Sequence, residues 1–267
     1  ARRALGTGEG RYGVLDFEAW WPLWQMNTSE KRQAFTQWAQ NRYAPQLANL
    51  DQQERNTFIK QRYNEAATNW FIQTIRAARR GAPLAQWGYY GLPHRTYWDL
   101  QSNASTQTYP ERFIEPLRHL FDECDAFFPS IYTFYWSYPD TVTPPSPRPN
   151  GTDTAAAHLR YITRSVEMAR LAAGDKPVIP YMMTIYHESN TGGFATQPLS
   201  SINTSQTVAG AQAAGADALL VWGFFRPDDH LRQDQTVAYW NDRLRPAAQN
   251  AIQASTSTTP DTPAGFD

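Results

Sequence analysis

The sequence predicts an α/β fold with a parallel sheet and helices packed outside it. Three observations carry this. Five short apolar runs read as strands, each followed by a stretch with helical spacing. Turn formers separate several of these stretches: Gly81, Gly174 and Gly215 follow helical runs, and five prolines fill 138–151. The runs are apolar on both faces, as strands covered on two sides must be.

The elements follow in order. Tyr12–Glu18 reads as the first strand. Thr28 or Ser29 can cap a helix to about Gln40, with Phe35, Trp38 and Ala39 at helical spacing. Asp51 can cap a longer helix whose stripe is Phe58, Ile59, Tyr63, Ala66, Trp70, Phe71, Ile75 and Ala78, and Gly81 stops it. Gln86–Tyr90 is the second strand, and a polar loop is expected over 94–109. A helix over 110–123 and a strand over 126–132 come next. Five prolines make 138–151 a loop. A helix over 152–173 ends at Gly174, and a strand follows over 177–186. An Ala-rich helix over 204–214, a strand over 217–222 and a helix over 232–253 complete the pattern. The Ser/Thr/Pro-rich tail, 254–267, is expected to be disordered, leaving 1–253 as a single domain.

Composition excludes several functions. The 24 Lys and Arg balance 25 Asp and Glu, so the basic excess of a nucleic-acid binder is missing. No apolar run has the length of a membrane span. Ala1-Arg2-Arg3 is followed by no apolar leader. Cys124 is the one cysteine and reads as a small buried hydrophobe. The five histidines lack metal-ligand spacing, and no metal or other cofactor is expected. Aromatic content is 14%, with ten Trp and fourteen Tyr. Aromatic faces stack on the apolar faces of sugar rings, although a generous aromatic core gives the same count.

Asp16 and Glu18 are the candidate catalytic residues. Two apart on a strand, they point to one face together with Val14. Barrel enzymes carry their chemistry at the C-terminal ends of strands. Two neighbouring carboxylates repel, which raises one pKa and lets that group hold a proton as a general acid. A lone D-x-E is more often a solvated strand face. Here Trp20, Trp21 and Trp24 follow it closely, as expected of an aromatic-lined cleft.

Over Val14-Leu15-Asp16-Phe17-Glu18-Ala19-Trp20-Trp21-Pro22 the chain resembles the hyaluronidase family, glycoside hydrolase family 56. Four further stretches match in the family's order. They are Gln86–Pro93, Phe128–Tyr132, Val178-Ile179-Pro180-Tyr181 through Tyr186, and Gly215-Ala216-Asp217 through Gly223. The resemblance covers roughly residues 12–250. It implies a distorted TIM-like (β/α) barrel and an endo-acting, retaining hydrolase. In that scheme Glu18 protonates the leaving oxygen, the substrate's own 2-acetamido oxygen attacks the anomeric carbon, and Asp16 orients the acetamido group. It also implies that Tyr132, Tyr186 and Trp222 enclose that group, with Tyr89 and Trp21 as further substrate contacts. The bland alternatives are core tyrosines and ordinary barrel packing. The implied partner is hyaluronan or a related glycosaminoglycan.

The chain departs from the family at named positions. Trp21 stands where the family has Arg and cannot pair with a carboxylate, which leaves chondroitin or a neutral N-acetylglucosamine polymer open as substrates beside hyaluronan. His94 stands where the family has Cys. Eleven residues precede Tyr12, too few for the family's two earlier strands. A barrel incomplete on its N-terminal side, one completed by a partner segment, and a fragment all fit. Four N-x-[ST] sequons, at Asn27, Asn103, Asn150 and Asn203, are compatible with secretion. The competing readings are a non-catalytic carbohydrate-binding protein on the same scaffold, and a structural protein that lost the chemistry.

Overall fold

The computed structural model describes residues 11–139, 141–143, 145–222 and 237–256. β1 (Arg11–Leu15) is followed by α1 (Ser29–Arg42) and the long α2 (Gln52–Gly81). Thr28 caps α1 by accepting the Lys31 N–H. Asp51 and Glu54 form a reciprocal capping box on α2, each accepting the other's backbone N–H at 2.8 Å. The buried stripe of α2 is Ile59, Tyr63, Phe71, Ile72 and Ile75. Trp70, expected in that stripe, is exposed on one side and packs its ring on Phe17, centroids 4.4 Å apart.

β2 (Ala85–Tyr89) pairs in parallel with β1, from Arg11 opposite Ala85 to Leu15 opposite Tyr89. The first strand is therefore shorter than expected, and Asp16 and Glu18 lie just past its end. The stretch expected as a loop over 94–109 holds two short helices, α3 (Tyr97–Gln101) and α4 (Asn103–Tyr109). Thr96 and Ser102 cap them, and Tyr97, Leu100 and Tyr109 bury one face. Their Ser and Thr content reads as a loop until these caps and the i, i+3 apolar pair are weighed. The helix expected over 110–123 is broken into a wide turn at Pro110–Ile114, a tight turn at Glu115–Leu117, and α5 (Arg118–Glu123). Pro110 and Pro116 lack the N–H that a continuous helix needs.

Residues 126–132 run as a strand without a full ladder. Phe127 N–H donates to Pro177 O, Ile179 N–H to Phe127 O, Tyr181 N–H to Pro129 O and Ile131 N–H to Tyr181 O, all at 2.8–2.9 Å. On the other side Asp125 N–H donates to Trp87 O and Gly91 N–H to Phe128 O. Pro129, Pro177 and Pro180 each remove one donor, which leaves isolated bridges between regular pairs. β3 (Trp136–Tyr138) and β4 (Thr152–Thr154) flank the proline-rich loop and pair in parallel. α6 (Ala155–Ala173) thus starts later than expected, capped by Thr154, and ends at Gly174 in the left-handed region. β5 (Tyr181–Met183) pairs in parallel with β6 (Leu220–Trp222). Between them lies α7 (Ser201–Ala213), capped by Ser200 and longer at its start than expected. The last helix is described from residue 237, and α8 (Arg245–Thr256) carries helix past the start of the expected tail, through Ser255 and Thr256. The expected start at 232 and the tail from 257 lie outside the described residues.

The five expected strand segments thus lie side by side in chain order, all parallel. Among the described residues no ladder joins β6 back to β1. The array has two packed faces. On the outer face Leu15, Trp87, Tyr89, Phe127, Val178 and Met182 join the main core under the helices. On the inner face Ala126, Phe128 and Ile179 form a cluster with Val14, Tyr181 and Leu220 against it. Gly88 is what lets β2 lie so close: a Cβ there would meet the Ala126 carbonyl oxygen at 2.1 Å.

Candidate active site

The inner face ends in the carboxylate pair. Phe17 turns outward onto Trp70 and Phe71, which leaves Asp16 and Glu18 on the side of Val14, above the inner cluster. Both acids are exposed to solvent. The Glu18 carboxyl is raised above its usual range, first by burial and then by the negative charge of Asp16. It therefore keeps its proton to higher pH than an ordinary glutamic acid. Asp16→Asn removes the second cause and keeps the first. Glu18 should then titrate at lower pH, still above the ordinary range, in a carboxyl 13C NMR titration. An unchanged or higher midpoint would show that the two side chains do not sense each other.

Three tyrosines converge beside the pair. The Tyr90 ring meets Tyr181 edge-on at 5.2 Å and lies 6.0 Å from Tyr132. The Tyr90 hydroxyl interacts with those of Ser130 and Tyr132. Burial raises the phenol pKa of all three, and Asp16, Glu18 or both add to it: both acids at Tyr90, Glu18 at Tyr132 and Asp16 at Tyr181. Electrostatically the acids and the tyrosines form one site. On the far side of Tyr132 the His187 ring stacks at 6.3 Å and also meets Phe134 at 4.8 Å.

Of the residues expected to bind substrate, Tyr132 is in this cluster. Trp222 ends β6 on the face of Leu220, the inner one, and is half-exposed. Trp21 packs differently from a free platform. Its indole stacks on His94 at 4.1 Å, and Gly91, in the left-handed region, lies against its edge. Asn27 and Tyr63 hold its backbone: Trp21 N–H donates to Asn27 Oδ1, while Asn27 Nδ2 and the Tyr63 hydroxyl donate to Trp21 O. Burial lowers the His94 pKa to about 4, so this stack is neutral at physiological pH.

Two expected contacts are placed elsewhere. Tyr89 is 2% exposed and belongs to the outer core, where its ring packs on Phe71 and its hydroxyl donates to Phe71 O at 2.8 Å. Strand alternation explains this: Tyr89 shares the face of Trp87, and Tyr90 shares that of Gly88. Tyr186 is 1% exposed. Its hydroxyl donates to Asn203 Oδ1 at 2.9 Å and accepts from Ser200 N–H at 3.1 Å, which commits it within the core. Tyr90 and Tyr181 are the site residues that sequence reading passed over. The parity of Gly88, whose missing side chain marks the crowded inner face, would have selected Tyr90. Among the described residues no group of three His, Cys, Asp or Glu could hold a metal ion, and no helix is long and apolar enough to cross a membrane.

The family model described as hyaluronidase matches residues 6–258. The chain belongs to the hyaluronidase family. A hyaluronidase of Crotalus adamanteus is 28% identical over 222 residues, which cover 79% of this chain and 44% of that protein. A hyaluronidase of Apis mellifera is 24% identical over 242 residues, 89% of this chain and 58% of its own. Hyaluronidase-3 of Rattus norvegicus is 28% identical over 232 residues, 82% of this chain and 50% of its own. The chain thus spans about half the length of the curated relatives it matches. Among solved structures it is similar to bee venom hyaluronidase in complex with a hyaluronic acid tetramer. That match has a TM-score of 0.68 and 22% identity, and covers 90% of this chain and 70% of the other. It identifies the five-strand array as part of the fold of a hyaluronidase.

Proposed function

We propose that this chain is an endo-acting glycoside hydrolase that cleaves N-acetylhexosaminidic bonds in hyaluronan-like polysaccharide with retention of configuration. The observation that carries this reading is the raised Glu18 carboxyl, paired with Asp16 and fronted by tyrosines, at the C-terminal end of β1.

In this reading Glu18 donates its proton to the glycosidic oxygen as the bond to the anomeric carbon breaks. The 2-acetamido oxygen of the same sugar attacks that carbon and closes an oxazolinium ring. The positive charge on the ring is stabilised by Asp16, and the Tyr132 hydroxyl orients the acetamido group. Glu18, now a carboxylate, takes a proton from the water that opens the ring. Two displacements at one carbon give retention. This route uses the substrate as nucleophile, unlike the two-carboxylate scheme. Trp222 supplies a half-exposed aromatic face at the mouth of the site.

Hyaluronan is the expected substrate because of family membership. Trp21 favours a second candidate, a neutral N-acetylglucosamine polymer; chondroitin, which carries uronate as hyaluronan does, is the third. A neutral indole stacked on a neutral imidazole offers no cation to a uronate carboxylate. The reading also includes a further segment at the edge of β1 that no described strand pairs, which would extend the array. Export is part of it too. Asn103 and Asn150 are exposed, whereas the amides of Asn27 and Asn203 are buried in hydrogen bonds. The test is a size-shift assay with high-molecular-weight hyaluronan, chondroitin and a soluble chitin oligomer from acidic to neutral pH. Shortened polymer with new N-acetylhexosamine reducing ends supports the reading, and the preferred polymer reports the effect of Trp21. Binding without cleavage, by a folded sample, would instead make this a carbohydrate-binding protein.

A further inference from the structure

Tyr90 sits where two jobs meet. Its backbone belongs to the sheet: its N–H donates to Leu15 O at 3.0 Å, one residue before Asp16, and it bridges to Phe128. This fixes its Cα relative to the acid pair. Its ring is wedged between Tyr181 and Tyr132, edge-on to the first at 5.2 Å and tilted by 34° to the second at 6.0 Å. Its hydroxyl interacts with those of Ser130 and Tyr132. Tyr132 sits between two bonded residues of its own segment: Ile131 N–H donates to Tyr181 O, and Thr133 O accepts from His187 N–H, both at 2.9 Å. Its backbone is thus placed, and what sets the direction of its phenol is the rings beside it. Those rings are Tyr90 on one side and His187 on the other.

We propose that Tyr90 is a positioning residue of the site: wedged between Tyr181 and Tyr132, with its hydroxyl within reach of the Tyr132 phenol, it aims the Tyr132 hydroxyl at the bound acetamido group. The inference rests on the hydrolase reading above. Tyr90 donates no proton to substrate and forms no bond. It keeps Tyr132 from swinging toward solvent when the site is empty, so the group is preorganised when the sugar arrives. Phenylalanine keeps the wedge and loses only the hydroxyl contact.

The experiment uses the full chain as wild type, Tyr90→Phe, Tyr132→Phe and the double variant. Kinetics are measured on the polymer the wild type cleaves best, and tyrosine 13Cζ NMR is recorded on each. Tyr90→Phe should lower kcat roughly fivefold to tenfold with little change in KM, the effect of one lost polar contact felt in the transition state. The double variant should be no slower than Tyr132→Phe, because the two hydroxyls act as one unit. The Tyr132 resonance should move in Tyr90→Phe. Losses that multiply in the double variant, or a Tyr90→Phe enzyme within twofold of wild type, would overturn the proposal. The NMR arm needs no turnover. An unmoved Tyr132 resonance overturns the proposal even in an inactive protein, whereas a shifted resonance in a folded, inactive wild type supports the contact and sinks only the hydrolase reading.

Discussion

Glu18→Gln should lose two to four orders of magnitude in kcat, roughly the worth of a positioned general acid, with an unchanged unfolding temperature. The amide matches the carboxyl in shape but has no proton to give the leaving oxygen. Fold loss is not expected. Glu18 is exposed, makes no ion pair with a cation among the described residues, and has a carboxyl held above its usual range. A group whose folded pKa is raised is held less comfortably as an anion in the folded chain, so removing its charge at neutral pH does not destabilise the fold. The same shift sets the pH dependence. Activity that needs protonated Glu18 persists above the ordinary carboxyl range and falls as pH rises through the raised value. Polymer-size assays across pH, beside circular dichroism melts, check both parts. Activity within tenfold of wild type in Glu18→Gln would remove Glu18 as the acid.

The order of the elements was legible because it rests on burial and punctuation. Apolar runs at Val14-Leu15, Ile179 and Leu219-Val221 had to be strands covered on both faces, and the Gly81 and Gly174 stops were visible as helix ends. The segments around Pro129 and Pro180 keep the path of strands and lose the ladder, because a proline removes a donor without moving the chain. The two short helices over 97–109 were hidden because Ser and Thr serve loops and N-caps alike. The carboxylate pair was a weak signal by spacing, and the tryptophans after it and the family resemblance are what singled it out. Of the neighbouring tyrosines Tyr132 was named and Tyr90 was not, because Tyr89 and Tyr90 are adjacent and identical, and the face each takes follows from the parity of Gly88 and the register of β2 against β1. Tyr186 illustrates the opposite failure. Its motif suggests a pocket wall, yet a partner 17 residues on, Asn203, draws its hydroxyl into the core.

Asn203 is where the largest loss of stability is expected. It is fully buried at the start of α7, and its side chain serves three parts of the chain. Oδ1 accepts from Ser137 N–H at 3.1 Å, from the Tyr186 hydroxyl at 2.9 Å and from Ser200 Oγ at 3.0 Å. Nδ2 donates to Ser137 Oγ at 2.7 Å. Asn203→Ala leaves the Ser137 N–H buried without an acceptor and the Tyr186 and Ser137 hydroxyls each short of a partner. An unsatisfied buried group costs about 1–3 kcal/mol, so the sum is on the order of 3 kcal/mol or more. For a chain of this size that lowers the unfolding temperature by roughly 10 °C. Ser205→Ala, exposed two residues along the same helix, is the control and should melt with the wild type. The consequence reaches the site. Ser137 belongs to β3, Tyr186 to the segment after β5, and His187, which follows Tyr186, stacks on Tyr132. Tyr186→Phe should therefore show part of the Asn203→Ala loss in melting temperature, as a member of one buried network. A Tyr186→Phe protein that melts like wild type but loses substrate affinity would return Tyr186 to the pocket. An Asn203→Ala protein within about 2 °C of wild type, under one kcal/mol at this size, would mean that water replaces the amide and that the network is not what fixes the loop bearing His187.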